Sequence, residues 1–196
     1  MIKRFLLVLT ASLFLVSVAW ANPIEEVKKT VDEVVRIVAD KDLKNNAAKR
    51  RQALKKAIGN KFDYSEMAKR SLGKHWNVRT AAEKKHFTEL FATLLENSYA
   101  GKIESYNNER IVYIKEILDG EYAEVKSKVI TAGRDEFTLD YHLIKENGTW
   151  MVYDVIIEGV SLVSNYRSQF NKIVTSNGYE KLVEKLQSKN DELKAP

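Results

Sequence analysis

The sequence predicts an α+β fold: a helical N-terminal half, a four-stranded antiparallel meander, and one or two C-terminal helices that close over the sheet. Three observations carry this. Apolar residues recur at helical spacing from Ile24 to Tyr99, then at a spacing of two from Arg110 to Glu158 in segments separated by short turns. At Glu158-Gly159 the period of two gives way again to a helical one.

The first helix is expected over residues 24–39, where Ile24, Val27, Val31, Val34, Val35 and Val38 make one apolar stripe despite the low helix propensity of valine. A second covers about Asn46 to Ile58 and stops at Gly59. A third opens at Asp63, with Glu66 as its capping partner, and ends at Leu72-Gly73. The fourth starts at a capping box, Thr80-Ala81-Ala82-Glu83. Phe87, Leu90, Phe91, Leu94 and Leu95 then keep helical spacing until the pattern loosens between Tyr99 and Tyr106.

Strands are expected at Arg110–Leu118, Tyr122–Thr131, Glu136–Lys145 and Thr149–Glu158, joined by hairpin-type turns at Asp119-Gly120, Ala132-Gly133-Arg134-Asp135 and Glu146-Asn147-Gly148. Short connections make sequential antiparallel neighbours. Ala123, Val125, Ser127 and Val129 alternate with polar residues, as do Phe137, Leu139, Tyr141 and Leu143, so one sheet face is covered and the other wet. Asn147-Gly148-Thr149 matches a glycosylation acceptor, but Asn-Gly in a hairpin turn is the better reading.

After Gly159, Val163, Tyr166, Phe170 and Ile173 fall on one helix face. A strand running through one glycine into that helix pins it against the end of the sheet and leaves a wedge that apolar side chains can line. That wedge is the expected site; the same periodicity fits a filled core. Ser176-Asn177-Gly178 breaks the chain, a last helix carries Leu182, Val183 and Leu186, and the tail from Lys189 reads as polar and frayed.

The N-terminus has Lys3 and Arg4, an apolar run of 14 residues from Phe5 to Val18, and Ala19-Trp20-Ala21 before Asn22-Pro23. That run falls short of the roughly 20 residues that span a bilayer, so residues 1–21 read as a cleaved signal peptide and 22–196 as a single domain. With no cysteine, neither a lipid anchor at the cleavage point nor a disulfide scaffold fits, and the expected compartment is the bacterial periplasm. Without Lys3 and Arg4 the remaining 30 Lys and Arg face 27 Asp and Glu, a balance of +3. The one dense basic cluster, Lys49-Arg50-Arg51 with Lys55-Lys56, reads as a solvated helix face, and an exported protein meets little nucleic acid.

Three histidines in no metal-ligand spacing, and no cysteine, argue against zinc; no nucleotide-binding or nucleophile-elbow motif occurs. His75 and His86 fit solvated or capping roles. One acid/base pairing is geometrically open, His142 with Asp154 across the hairpin centred on Asn147-Gly148, although a surface cross-strand pair is the plainer reading. What remains is an excess of large apolar residues from two layers, which suits a ligand that is mostly hydrocarbon.

Trp150, Tyr153-Asp154-Val155 and Glu158-Gly159-Val160-Ser161-Leu162, running on to Asn165-Tyr166-Arg167-Ser168-Gln169-Phe170, resemble the signature of the MlaC or toluene-tolerance family, periplasmic phospholipid carriers of Gram-negative bacteria. Phe62-Asp63, Met67-Ala68, Leu72-Gly73-Lys74-His75-Trp76, Phe87, Phe91, Leu95, Tyr99 and Gly178-Tyr179-Glu180-Lys181-Leu182 extend the resemblance along the chain. It implies a non-enzymatic carrier with no cofactor or metal, which holds phospholipid by its tails in a deep apolar cavity. Its partners would be an outer-membrane lipoprotein complex and an inner-membrane ABC transporter with an MCE-domain subunit, and such a shuttle is most simply a monomer. Two chains of about 15 methylenes, at about 0.8 kcal/mol each, gain on the order of 24 kcal/mol from shelter, and whole tails call for about 1,000 Å³ or more. The expected wall is Trp76, Phe87, Phe91 and Leu94 from the helices, Val125, Val129, Phe137, Leu139, Tyr141, Trp150 and Val155 from the sheet, and Val160, Val163, Tyr166 and Phe170 after Gly159. Arg167 is the possible head-group contact, although a structural salt bridge suits it as well. The competing readings are a small-molecule enzyme of cone-shaped α+β fold using His142 and Asp154, and an adaptor without lipid.

Overall fold

The structure, a computed structural model, describes residues 22–106 and 109–194; the expected signal peptide, residues 1–21, lies outside them. Helix α1 (Pro23–Ala39) starts where the Asn22 side chain accepts the Ile24 amide at 2.9 Å, with proline in the first turn where no amide is needed. A single turn, α2 (Lys41–Lys44), capped by Asp40, leads into α3 (Ala47–Gly59), whose cationic face pairs Arg50 and Arg51 with Glu104 and Lys55 with Glu96. Helix α4 (Tyr64–Leu72) is capped by Asp63 at the Glu66 amide, 2.9 Å away. It ends at Gly73, whose φ of +57° would be strained for a residue with a side chain, and which begins a 3₁₀ turn, Gly73–His75. In α5 (Ala81–Glu104) both halves of the Thr80/Glu83 capping box form.

Strands β1 (Arg110–Asp119), β2 (Tyr122–Ile130), β3 (Glu136–Glu146) and β4 (Thr149–Ile157) pair in chain order, all antiparallel. Asn147 and Gly148, at φ of +48° and +82°, make the two-residue turn that the sequence announces. Glu158 and Gly159 repeat that conformation, at +51° and +76°. The chain therefore folds back into a fifth strand, β5 (Val160–Ser161), before α6 (Leu162–Asn177), so the sheet has five strands where four were expected. The segment around Phe62 adds a parallel bridge at Val152, covering more of the β4 edge.

Two cores result. Met67, Leu72, Phe87, Phe91, Leu94, Val163 and Phe170 of α4, α5 and α6 pack with Tyr179, Leu182 and Leu186 of α7 (Tyr179–Lys194). Val27 of α1 packs with Ala123, Val125, Tyr141, Leu143, Trp150, Val152 and Val155 of the sheet. The C-terminus corrects an expectation. Helix α7 runs to Lys194 instead of fraying after Lys189, because Asn190, 1% exposed, donates to the Leu90 carbonyl of α5 at 3.0 Å.

Asp154 holds the corner between the sheet and α6. Its carboxylate, 5% exposed as a residue, accepts the Val163 amide at 3.0 Å, the Val155 amide at 2.9 Å and the Ser161 hydroxyl at 2.5 Å. Asp154→Ala strands those donors. The expected loss is about 2–3 kcal/mol and roughly 5–10 °C in thermal melting followed by circular dichroism, with a smaller loss for Asp154→Asn. An unchanged melting temperature for the alanine variant would contradict the role.

Candidate functional site

A cavity of about 410 Å³ lies between α1 and the inner face of the sheet. Helix α1 supplies Val27, Thr30, Val31, Val34 and Val35; the sheet supplies Ile111, Val129, Phe137, Leu139, Tyr141, Leu143, Trp150 and Val152. Ile58, Lys61 and Phe62 close the end beside Val152, and Lys102, Ile103, Ser105, Tyr106, Glu109 and Thr131 complete the wall. The hollow follows from residue type. Valine is short and stiff, so a helix with a valine stripe meets the sheet without filling the layer between them.

Ionic and polar ties seat α1 on this floor. Lys61 and Glu26 form an ion pair with side chains 23% and 21% exposed, and Glu116 of β1 accepts the Ile24 amide at 3.2 Å. Burial pushes the Tyr141 hydroxyl well above its ordinary pKa, and the neighbouring Tyr113 phenol adds to the effect. At about 410 Å³ the space lies in the lower half of the range for ligand sites, about 300–1,000 Å³, and below the expected volume for whole tails. The physical reason is the closeness of α1: Val27 is 3% exposed and belongs to the sheet-side core.

Of the expected wall, Val129, Phe137, Leu139, Tyr141 and Trp150 stand on this cavity. The structure places the rest elsewhere. Trp76, Phe87, Phe91, Leu94, Val163, Tyr166 and Phe170 form or flank the helical core, where Phe91 meets Tyr166 and Phe170 edge to face at centroid distances of 5.1 and 5.5 Å. The wedge expected between the sheet and α6 is thus packed with aromatic rings, which bury large areas and interlock. Val125 and Val155 lie in the sheet-side core off the cavity wall, and Val160, 56% exposed, sits on β5 beyond the turn. Arg167 is not on the cavity wall. Its Nε donates to the Arg70 carbonyl at 2.8 Å and its stem packs over Gly73.

The residues missed by sequence reasoning are those of α1. Their signal was present, a stripe of small β-branched side chains on a helix, but a stripe says that a face is covered and not what covers it. The His142 and Asp154 pairing across β3 and β4 forms in register, yet the His142 ring nitrogen is 4.0 Å from the carboxylate, and that carboxylate is engaged at the α6 corner.

A family model described as MlaC protein matches residues 28–188. The chain is 29% identical over 181 residues to toluene tolerance protein ttg2D of Pseudomonas putida, spanning 90% of this chain and 84% of that one. It is 28% identical over 121 residues to the intermembrane phospholipid transport system binding protein MlaC of Haemophilus influenzae, spanning 59% of this chain and 56% of that one. Among solved structures, the phospholipid-binding protein from Ralstonia solanacearum in complex with a phospholipid superimposes with a TM-score of 0.81 at 28% identity, covering 89% of this chain and 100% of that one. With the family matched over most of its length and a relative of that fold throughout, this chain belongs to the MlaC family.

Proposed function

We propose that this chain is a periplasmic phospholipid carrier, exported with the loss of residues 1–21, that shelters acyl chains in the cavity between α1 and the sheet. It would hand lipid between an outer-membrane lipoprotein complex and an inner-membrane ABC transporter bearing an MCE-domain subunit, with no catalysis of its own. The observation that carries the reading is the cavity itself: an apolar hollow on a fold shared with a protein solved in complex with phospholipid. The energetics are consistent with a shuttle. A membrane at either end offers the tails the same burial as the cavity, so transfer is close to thermoneutral, whereas bare passage through water forgoes on the order of 24 kcal/mol for two chains of about 15 methylenes. Two whole tails exceed this volume, so loading requires the cavity to widen.

Chloroform-methanol extraction of protein purified without detergent from a Gram-negative host, followed by mass spectrometry, tests the reading. Phospholipid in the extract is expected; nothing, or only a small polar ligand, overturns it in favour of an adaptor or an enzyme. Arg167→Ala is expected to leave the lipid yield within about a factor of two, because the tails supply nearly all the affinity and its Nε is engaged by the Arg70 carbonyl. Abolished lipid retention in that variant would make Arg167 a head-group ligand.

A further inference from the structure

The polar side chains on the cavity wall have partners inside the protein. Thr30 donates to the Glu26 carbonyl, Ser105 to that of Lys102 and Tyr106 to that of Glu109. Two tyrosines of the sheet's inner face differ. Tyr141 of β3 lines the cavity and is 7% exposed, and its hydroxyl makes no hydrogen bond among the described residues. Tyr113 of β1 has a buried hydroxyl without a partner among the described residues. The two flank β2, opposite Val125 and Ser127, and are close enough for the Tyr113 phenol to act electrostatically on that of Tyr141. The Tyr113 hydroxyl, buried and unpaired among the described residues, is a net cost that phenylalanine at the same place would avoid. Tyr141 stands on the cavity wall and Tyr113 lies off it, so the Tyr141 hydroxyl has its use when an acceptor arrives with the cargo.

We infer that the Tyr141 hydroxyl, supported by Tyr113 behind it, is a donor subsite for an acyl carbonyl oxygen of the bound lipid, the glycerol ester that joins tail to head. This rests on the reading that the cavity holds phospholipid. The chemistry selects that group. Methylene chains carry no acceptor, and a phosphate would have to shed its water against an apolar wall. An ester carbonyl lies between the two, is uncharged, and only accepts. Burial holds both phenols well above their ordinary pKa, so each stays an O–H donor in neutral solution. The subsite therefore sets how deep the tails sit and favours ester-linked over ether-linked lipid, independently of the head group.

The test is exchange against vesicles containing equal amounts of diacyl and di-O-alkyl phosphatidylethanolamine of matched chain length, with the bound lipids quantified by mass spectrometry. The wild-type chain is expected to enrich the diacyl form about fivefold, the equivalent of about 1 kcal/mol for the one Tyr141 hydrogen bond. Tyr141→Phe should lose most of that enrichment, and Tyr141→Phe with Tyr113→Phe should bring the ratio to one. Neither variant should lower the melting temperature of the lipid-free protein, since each removes only hydroxyls that have no protein partner among the described residues. Equal uptake of the two lipids by the wild type, or enrichment that survives the double substitution, overturns the subsite. Binding of neither lipid defeats the carrier reading instead. If palmitic acid competes for the cavity and depends on the two tyrosines while the ester-to-ether ratio stays at one, the carbonyl is that of a free acid and the assignment to an ester is overturned.

Discussion

Leu139→Asp is expected to give a folded protein that carries no lipid. Leu139 stands half-buried on β3, paired with Ile157, and its side chain faces the cavity. With the cavity open to water a carboxylate there can keep part of its hydration. Once hydrocarbon fills the space the hydration is lost, and the penalty for a buried, unpaired carboxylate is several kcal/mol even after relaxation. A penalty of about 3 kcal/mol corresponds to roughly a 150-fold weaker hold on lipid. The chloroform-methanol extract should therefore yield far less lipid per mole of protein than the wild type. Lipid retained at the wild-type level would place the tails elsewhere.

Phe91→Ala is expected to do the reverse. Phe91 is 0% exposed at the centre of the helical core, stacked on Phe87 and edge to face with Tyr166 and Phe170. Its truncation leaves a ring-sized void and costs about 3–5 kcal/mol, a fall of roughly 10–15 °C in melting temperature for a chain of this size. Lipid yield per folded molecule should hold, because none of these rings is on the cavity wall. The two substitutions together separate the side chains that hold the molecule together from those that hold the cargo. A Phe91→Ala protein that is stable but empty of lipid would exchange the roles of the two regions.

Local chemistry was the legible part of the fold. The Thr80/Glu83 box, the Asp63 cap and the Asn147-Gly148 turn each satisfy backbone groups within a few residues, so their sequence and structure coincide. The fifth strand was hidden because its turn requires Glu158, a residue with a side chain, at positive φ, which few such residues adopt. The last helix persists through a hydrogen bond between Asn190 and Leu90, 100 residues apart, and no local pattern announces such a contact.

The site was legible by halves. Alternation along β2 and β3 identified the sheet's inner face, and with it Val129, Phe137, Leu139 and Tyr141, which stand on the cavity; Trp150 of β4 stands there too, but alternation did not single it out. The opposite wall was assigned to the aromatic helix after Gly159, because large rings carry the strongest apolar signal. Large rings also fill space best, and Phe91, Tyr166 and Phe170 close their layer completely enough that Phe91 has no exposed surface. The short side chains of Val27, Val31, Val34 and Val35 leave the hollow. A cavity is a deficit of side-chain volume, whereas hydrophobic periodicity registers only that a face is apolar.

The most direct measurement is photo-crosslinking with a phospholipid bearing a diazirine near the end of one acyl chain, followed by peptide mapping. Adducts are expected on α1 between Val27 and Val35 and on the sheet between Val129 and Leu143, facing one another across the hollow. Adducts confined to Phe87–Leu95 and Val163–Phe170, or none above the level of a lipid-free control, would contradict a home for the tails between α1 and the sheet.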